Sequence, residues 1–90
     1  MKTLYIINQP QKSEEAQPYF AEHDGIVLIE DAVVLATRET KQPHGLKQYV
    51  LEEDLIARGL HKKVASDWEV VNYPQFVELT LQYDKSVSWL

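Results

Sequence analysis

The run Ile26-Val27-Leu28-Ile29 constrains this chain more than any other stretch. Four consecutive apolar residues leave a strand no polar face to turn toward water, so it must be covered on both sides, as in a parallel sheet. Asp24-Gly25 before it marks a turn, and Glu30-Asp31 ends it. Leu4-Tyr5-Ile6-Ile7 is a second buried run that stops at Asn8-Gln9-Pro10. Leu46 to Leu51 reads as a third strand, with Leu46, Gln48 and Val50 on one face and Lys47, Tyr49 and Leu51 on the other. Trp68 to Val71 is the fourth.

Helical or turn character separates these runs. Ser13 offers an N-cap followed by Glu14 and Glu15, with Ala16, Tyr19 and Phe20 as the buried face. Pro18 either falls in the first turn of that helix or kinks it. Asp31 is placed to cap a short helix through Ala32-Val33-Val34-Leu35-Ala36. The polar "TRETKQPHG" is an exposed loop. In "VLEEDLIARGL", Val50 to Leu60, a helix of about two turns follows the third strand and is closed by Arg58-Gly59. Pro74 suits the first position of a last helix, whose apolar stripe is Phe76, Leu79, Thr80 and Tyr83. "KSVSWL" is left as a tail. The expectation is an α/β fold: a small three-layer sandwich, with a mostly parallel four-stranded sheet and helices on both faces, in one domain over residues 1–90.

Several function classes are disfavoured by what the chain contains. A net charge of −5, with Lys62-Lys63 the one adjacent basic pair, does not suit a direct grip on phosphate backbones. There is no cysteine, hence no disulfide, thiolate nucleophile or persulfide carrier within these residues. His23, His44 and His61 form no HxH or HxxxH pair, and Gly25, Gly45 and Gly59 are isolated, so neither a metal site nor a phosphate-cradling loop is expected. No cofactor is expected either. No apolar run approaches the ~18–20 residues of a membrane-spanning helix, and a cytoplasmic location is expected.

The acids are the remaining candidates for chemistry. Glu52, Glu53 and Asp54 follow one another on a helix, so they point about 100° apart and cannot converge on one ion or bond. Their expected role is to cap that helix and to place favourable, solvated charge in its first turn. Asn8, Glu30, Asp31 and Glu53, with Gln9, would gather at the carboxyl ends of parallel strands, where open α/β sheets place their ligands. They form a candidate strand-end site for a small ligand or a hydrolytic reaction, against the plainer expectation that Asp31 caps a helix. Trp89 and Leu90 end the chain with two large apolar residues, which either dock on their own domain or anchor a subunit contact. The isolated chain could also self-associate through such a surface.

"YVLEEDLIARGL", followed by "VVNYPQFVELT" and "SWL", resembles the TusB/DsrH family of small sulfur-relay proteins. "IVLIEDAV" and "TLYIINQP" are similar to that family's second and first strands, so the likeness runs through nearly the whole chain in order. The resemblance implies the DsrE-like α/β sandwich and no catalytic residue of the chain's own. It implies a cytoplasmic hetero-oligomer with TusC-like and TusD-like subunits. That assembly passes persulfide sulfur, by way of a TusE-like acceptor, toward 2-thiolation of the tRNA wobble uridine. The related DsrEFH complex works in sulfur oxidation. Some DsrH-type members carry a cysteine in the first helix, in the region of Ala16 here; in the TusB branch the resemblance puts the reactive cysteine on the TusD-like partner.

Overall fold

The computed structural model describes residues 1–40, 42 and 45–89. Five strands, β1 (Thr3–Ile7), β2 (Gly25–Leu28), β3 (Lys47–Leu51), β4 (Glu69–Val71) and β5 (Lys85–Trp89), form one sheet in the order β4-β3-β2-β1-β5. Every pairing is parallel. The α/β class and the parallel sheet agree with the sequence reading, but the described residues form five strands rather than four. The extra strand is the segment left as a tail. Its side chains alternate: Val87 and Trp89 pair in register with Tyr5 and Ile7 and pack on one core, while Ser86 and Ser88 are exposed. A half-exposed edge strand carries too few apolar residues to be recognised by an apolar run.

The order of the strands explains the layers. From β1 to β4 the chain steps three times in one direction across the sheet, and from β4 to β5 it steps back past β1. Right-handed crossovers put the first three connections on one face and the last on the other. The buried clusters follow that division. Ala16, Ala32, Val33, Ala36 and Leu55 from the first three connections pack with Tyr5, Ile7, Ile26, Leu28 and Val50. Leu79 and Tyr83 from the last connection pack with Leu4, Ile6, Val27, Tyr49 and Val71. All four residues of β2 are buried, as a central strand covered on both faces requires.

The connections differ from the sequence reading in their caps. Helix α1 runs Pro10–Ala16 with Pro10 in its first turn, so Ser13 lies inside the helix and is not its N-cap. Pro18 neither kinks this helix nor lies within it. The chain tightens at Gln17–Tyr19 into a 3₁₀ turn with Pro18 near its start, where a missing N–H breaks no hydrogen bond. The segment Glu30–Thr37 is also 3₁₀, and its three-residue turn puts Ala32 and Leu35 in one column and Val33 and Ala36 in the next, both toward the core. Its N-cap position is Ile29, so Asp31 does not cap it. Helix α2 (Glu52–Ala57) has Leu51 at its N-cap position, and Glu52, Glu53 and Asp54 occupy its first turn. It ends as expected at Gly59, whose φ of 68° is left-handed; Gly59 N donates to Ile56 O and Leu60 N to Leu55 O. The expected start of β4 at Trp68 falls one residue early: Trp68 is buried in the core, and its indole N–H donates to Arg38 O at 3.2 Å. Helix α3 (Tyr73–Gln82) carries Pro74 in its first turn and a reciprocal cap between Asn72 and Gln75. Parts of the expected 37–45 loop, Lys41, Pro43 and His44, lie outside the described residues.

Tyr83, the residue that follows α3, lies against the backbone of β2 at Gly25. A Cβ on Gly25 would collide with the Tyr83 hydroxyl and lie 2.8 Å from Tyr83 Cζ, so the ring rests on bare backbone of the central strand. Gly25→Ala should therefore destabilise the fold by about 1–3 kcal/mol, the usual range for overpacking. The same change in a Tyr83→Leu background should destabilise it much less, as chemical denaturation of the four variants will show. Burial, then the neighbouring Tyr49 and then Asp24, push the Tyr83 hydroxyl above its ordinary value of 10. A group that holds its proton more tightly when folded stabilises fully below its unfolded value and loses that contribution as pH rises through its folded one. Stability should thus fall above pH ~10, and less steeply for Tyr83→Phe in a pH series of denaturant melts.

Candidate functional site

Parallel strands deliver the candidate residues to one edge, since Asn8, Glu30 and Asp31, and Glu53 follow β1, β2 and β3 respectively. There the Asp54, Glu53 and Asp31 carboxylates are engaged, while Glu30 takes part through its backbone N–H. Asp54 Oδ2 accepts from Glu30 N at 2.7 Å, at a residue whose φ of 51° turns the chain sharply out of β2. Glu53 Oε2 accepts from Tyr73 N at 3.1 Å and so ties α2 to the start of α3. Asp31 Oδ1 accepts from Arg58 Nη2 at 2.9 Å and Nε at 3.2 Å, and Arg58 also lies 3.7 Å from Asp54. Asn8 joins through its backbone, accepting from Ala32 N at 3.2 Å; its side-chain Oδ1 is buried without a hydrogen-bond partner among the described residues.

This edge is a brace between connections. The first-turn acids do not cap α2; two of them reach across to the backbone of neighbouring segments. No two carboxylates are paired through a shared hydrogen bond, and no cluster of His, Asp and Glu suited to a metal ion occurs among the described residues. Asp31 is 75% exposed, so its ion pair with Arg58 is worth no more than ~1 kcal/mol. Arg58, which the sequence marks only as part of a helix end, joins Asp31 and Asp54. The four-residue spacing of Asp54 and Arg58 was a visible signal, whereas nothing local announces the reach to Asp31.

Asp24, marked in the sequence only as part of a turn, lies at the opposite end of the sheet. It is 3% exposed, accepts from Thr3 N and Ala21 N at 2.9 Å each, and joins the turn before β2 to the start of β1. Trp89 docks on its own domain, packing on the core with its ring 5.7 Å from that of Tyr19; Leu90 lies outside the described residues. On α1, Ala16 is fully buried. Beside it a cleft of about 290 Å³ is lined in part by Ser13, Gln17, Arg38 and Trp68. Among the described residues, no helix is long and apolar enough to cross a membrane.

A five-stranded parallel sheet sealed by helices, with strand-end acids spent on bracing, defines a small α/β protein of the DsrE-like kind. The family described as "DsrH like protein" matches residues 9–86. Proteins named "Protein TusB" from Yersinia pestis (strain Pestoides F) and Yersinia pseudotuberculosis serotype O:1b (strain IP 31758) are each 34% identical to this chain, with 73% of it and 75% of the relative covered. The chain belongs to the DsrH-like family.

The brace and the buried acid make a contrast that mutation can read. Asp24→Ala strands the buried Thr3 N–H and releases Ala21 N–H nearer the surface; it should destabilise by about 2–4 kcal/mol, given that a hydrogen bond to a charged group contributes ~1.5–3 and the more exposed one less. Asp31→Ala should change stability by less than ~1 kcal/mol. Equal effects in thermal or denaturant unfolding would refute this division.

Proposed function

We propose that this chain is a non-catalytic subunit of a TusBCD-type sulfur-transfer assembly in the cytoplasm. Its partners are TusC-like and TusD-like chains, and the sulfur is relayed through a TusE-like acceptor toward 2-thiolation of the tRNA wobble uridine. The observation that carries this reading is a DsrH-like chain without a single thiol. A persulfide needs a cysteine sulfur, so another chain must hold it. Strand-end carboxylates tied to backbone N–H groups and to Arg58 support a role without chemistry of its own. The relatives' name favours the tRNA branch over a DsrEFH-type role in sulfur oxidation.

Two measurements test this. Co-expressed with the TusC-like and TusD-like chains of its own organism, the tagged protein should purify with both. Deleting its gene should deplete 2-thiouridine at the wobble position, read by mass spectrometry of digested tRNA. Normal thiolation in the deletion strain excludes the tRNA role, and purification alone excludes the assembly.

A further inference from the structure

Helix α3 is apolar well beyond the row that seals the sheet. Leu79 and Tyr83 face the core, with Phe76 partly buried beside them. Tyr73, Val77 and Leu81 recur at i, i+4 and i+8, and are 58%, 44% and 80% exposed. Such spacing lines them up as one stripe along the helix. Glu78 is the sole charged residue among the ten of α3, in a chain that is 26% charged. Exposed aromatic and aliphatic side chains on a helix that carries a single charge, with Glu53 of α2 bonded to Tyr73 N at one end of the stripe, have the composition of an interface centre.

We propose that the Tyr73, Val77 and Leu81 stripe is a docking surface for a different chain, one presenting an apolar face with a Lys or Arg set against Glu78. This rests on the subunit reading above and gives it a surface. Charge chooses the occupant. Val77 is the midpoint of the stripe, so a second copy would pack α3 antiparallel about a two-fold axis through Val77. That axis would bring both Glu78 carboxylates to the same flank of the seam, between molecules that each carry a net charge of −5. A partner with a basic rim turns the same carboxylate into an attraction. Three side chains cannot supply the ~800 Å² per partner of a standard interface, so the stripe is its centre and the flanking surface its rim.

The test uses the full chain with the TusC-like and TusD-like chains of the same organism, affinity being measured by biolayer interferometry. Leu81→Glu should weaken association at least ten-fold, Val77→Ser should weaken it in the same direction, and Glu78→Lys should weaken it several-fold. All three should keep the thermal midpoint of the isolated chain. Ile56→Glu, an exposed position on α2, should bind like the wild type. If Leu81→Glu and Val77→Ser bind their partners as the wild type does, the surface assignment fails while the subunit reading stands. If the wild type binds neither chain, the subunit reading fails and takes this surface with it. A dimeric isolated chain that Leu81→Glu dissociates, seen by light scattering, would assign the stripe to a second copy and overturn the heterologous partner.

Discussion

Everything in this fold depends on sealing one parallel sheet from both sides with very little chain. Parallel neighbours need a crossover each, and β2 is buried along its whole length, so neither face can be left open. Three crossovers share the work on one face. On the other, α3 works alone, and this explains the close fit of Tyr83 on Gly25. A single ten-residue helix must lie close to the sheet to exclude water, and a glycine on the central strand lets it do so. The economy is visible again between β2 and β3, where a 3₁₀ segment with two alanines facing the sheet takes the place of an α-helix.

Short connections also account for the acids. A turn with too few residues to satisfy its own N–H groups needs an acceptor from elsewhere, because an unpaired buried donor costs about 1–3 kcal/mol. Asp24 meets that need for the buried Thr3 N and also accepts from Ala21 N within its own turn. At the other end the donors are exposed and the same device costs less to lose: Asp54 holds the sharply turned Glu30, and Glu53 holds the first turn of α3. Carboxylates used in this way are anchored by backbone donors and by Arg58 rather than set against each other, which is the opposite of what acid–base chemistry asks of a pair.

What could be read from the sequence followed the physics of each segment. The run from Ile26 announced a doubly covered strand because burial on both faces requires an unbroken apolar run, although β2 spans Gly25–Leu28 and Ile29 already begins the next connection. Gly59 announced the end of α2 because the left-handed backbone there favours glycine. Pro74 marked the start of α3 for a similarly local reason. β5 was missed because an edge strand needs apolar residues on one face only, and Lys85-Ser86-Val87-Ser88-Trp89 supplies just two. The cap assigned to Ser13 failed because α1 starts at Pro10 and places Ser13 inside the helix, and the one assigned to Asp31 failed because its carboxylate pairs with Arg58 instead. At the strand ends the right residues were named, yet their roles depend on contacts such as Asp31 to Arg58, 27 residues apart, which no local pattern encodes.

The two apolar rows of α3 are under different demands. The row of Leu79 and Tyr83 is fixed by the sheet beneath it, and any sequence with this topology must supply something like it. The fold makes no such demand on Tyr73, Val77 and Leu81, where Lys, Glu or Gln would serve the isolated domain at least as well and would keep it more soluble. An apolar choice at three successive turns therefore needs a cause outside the domain. A chain of this size buries only ~60–65% of the surface its unfolded form exposes, so covering that stripe adds appreciably to a modest stability. The outer row of α3 is thus the part of this surface that the fold alone does not explain.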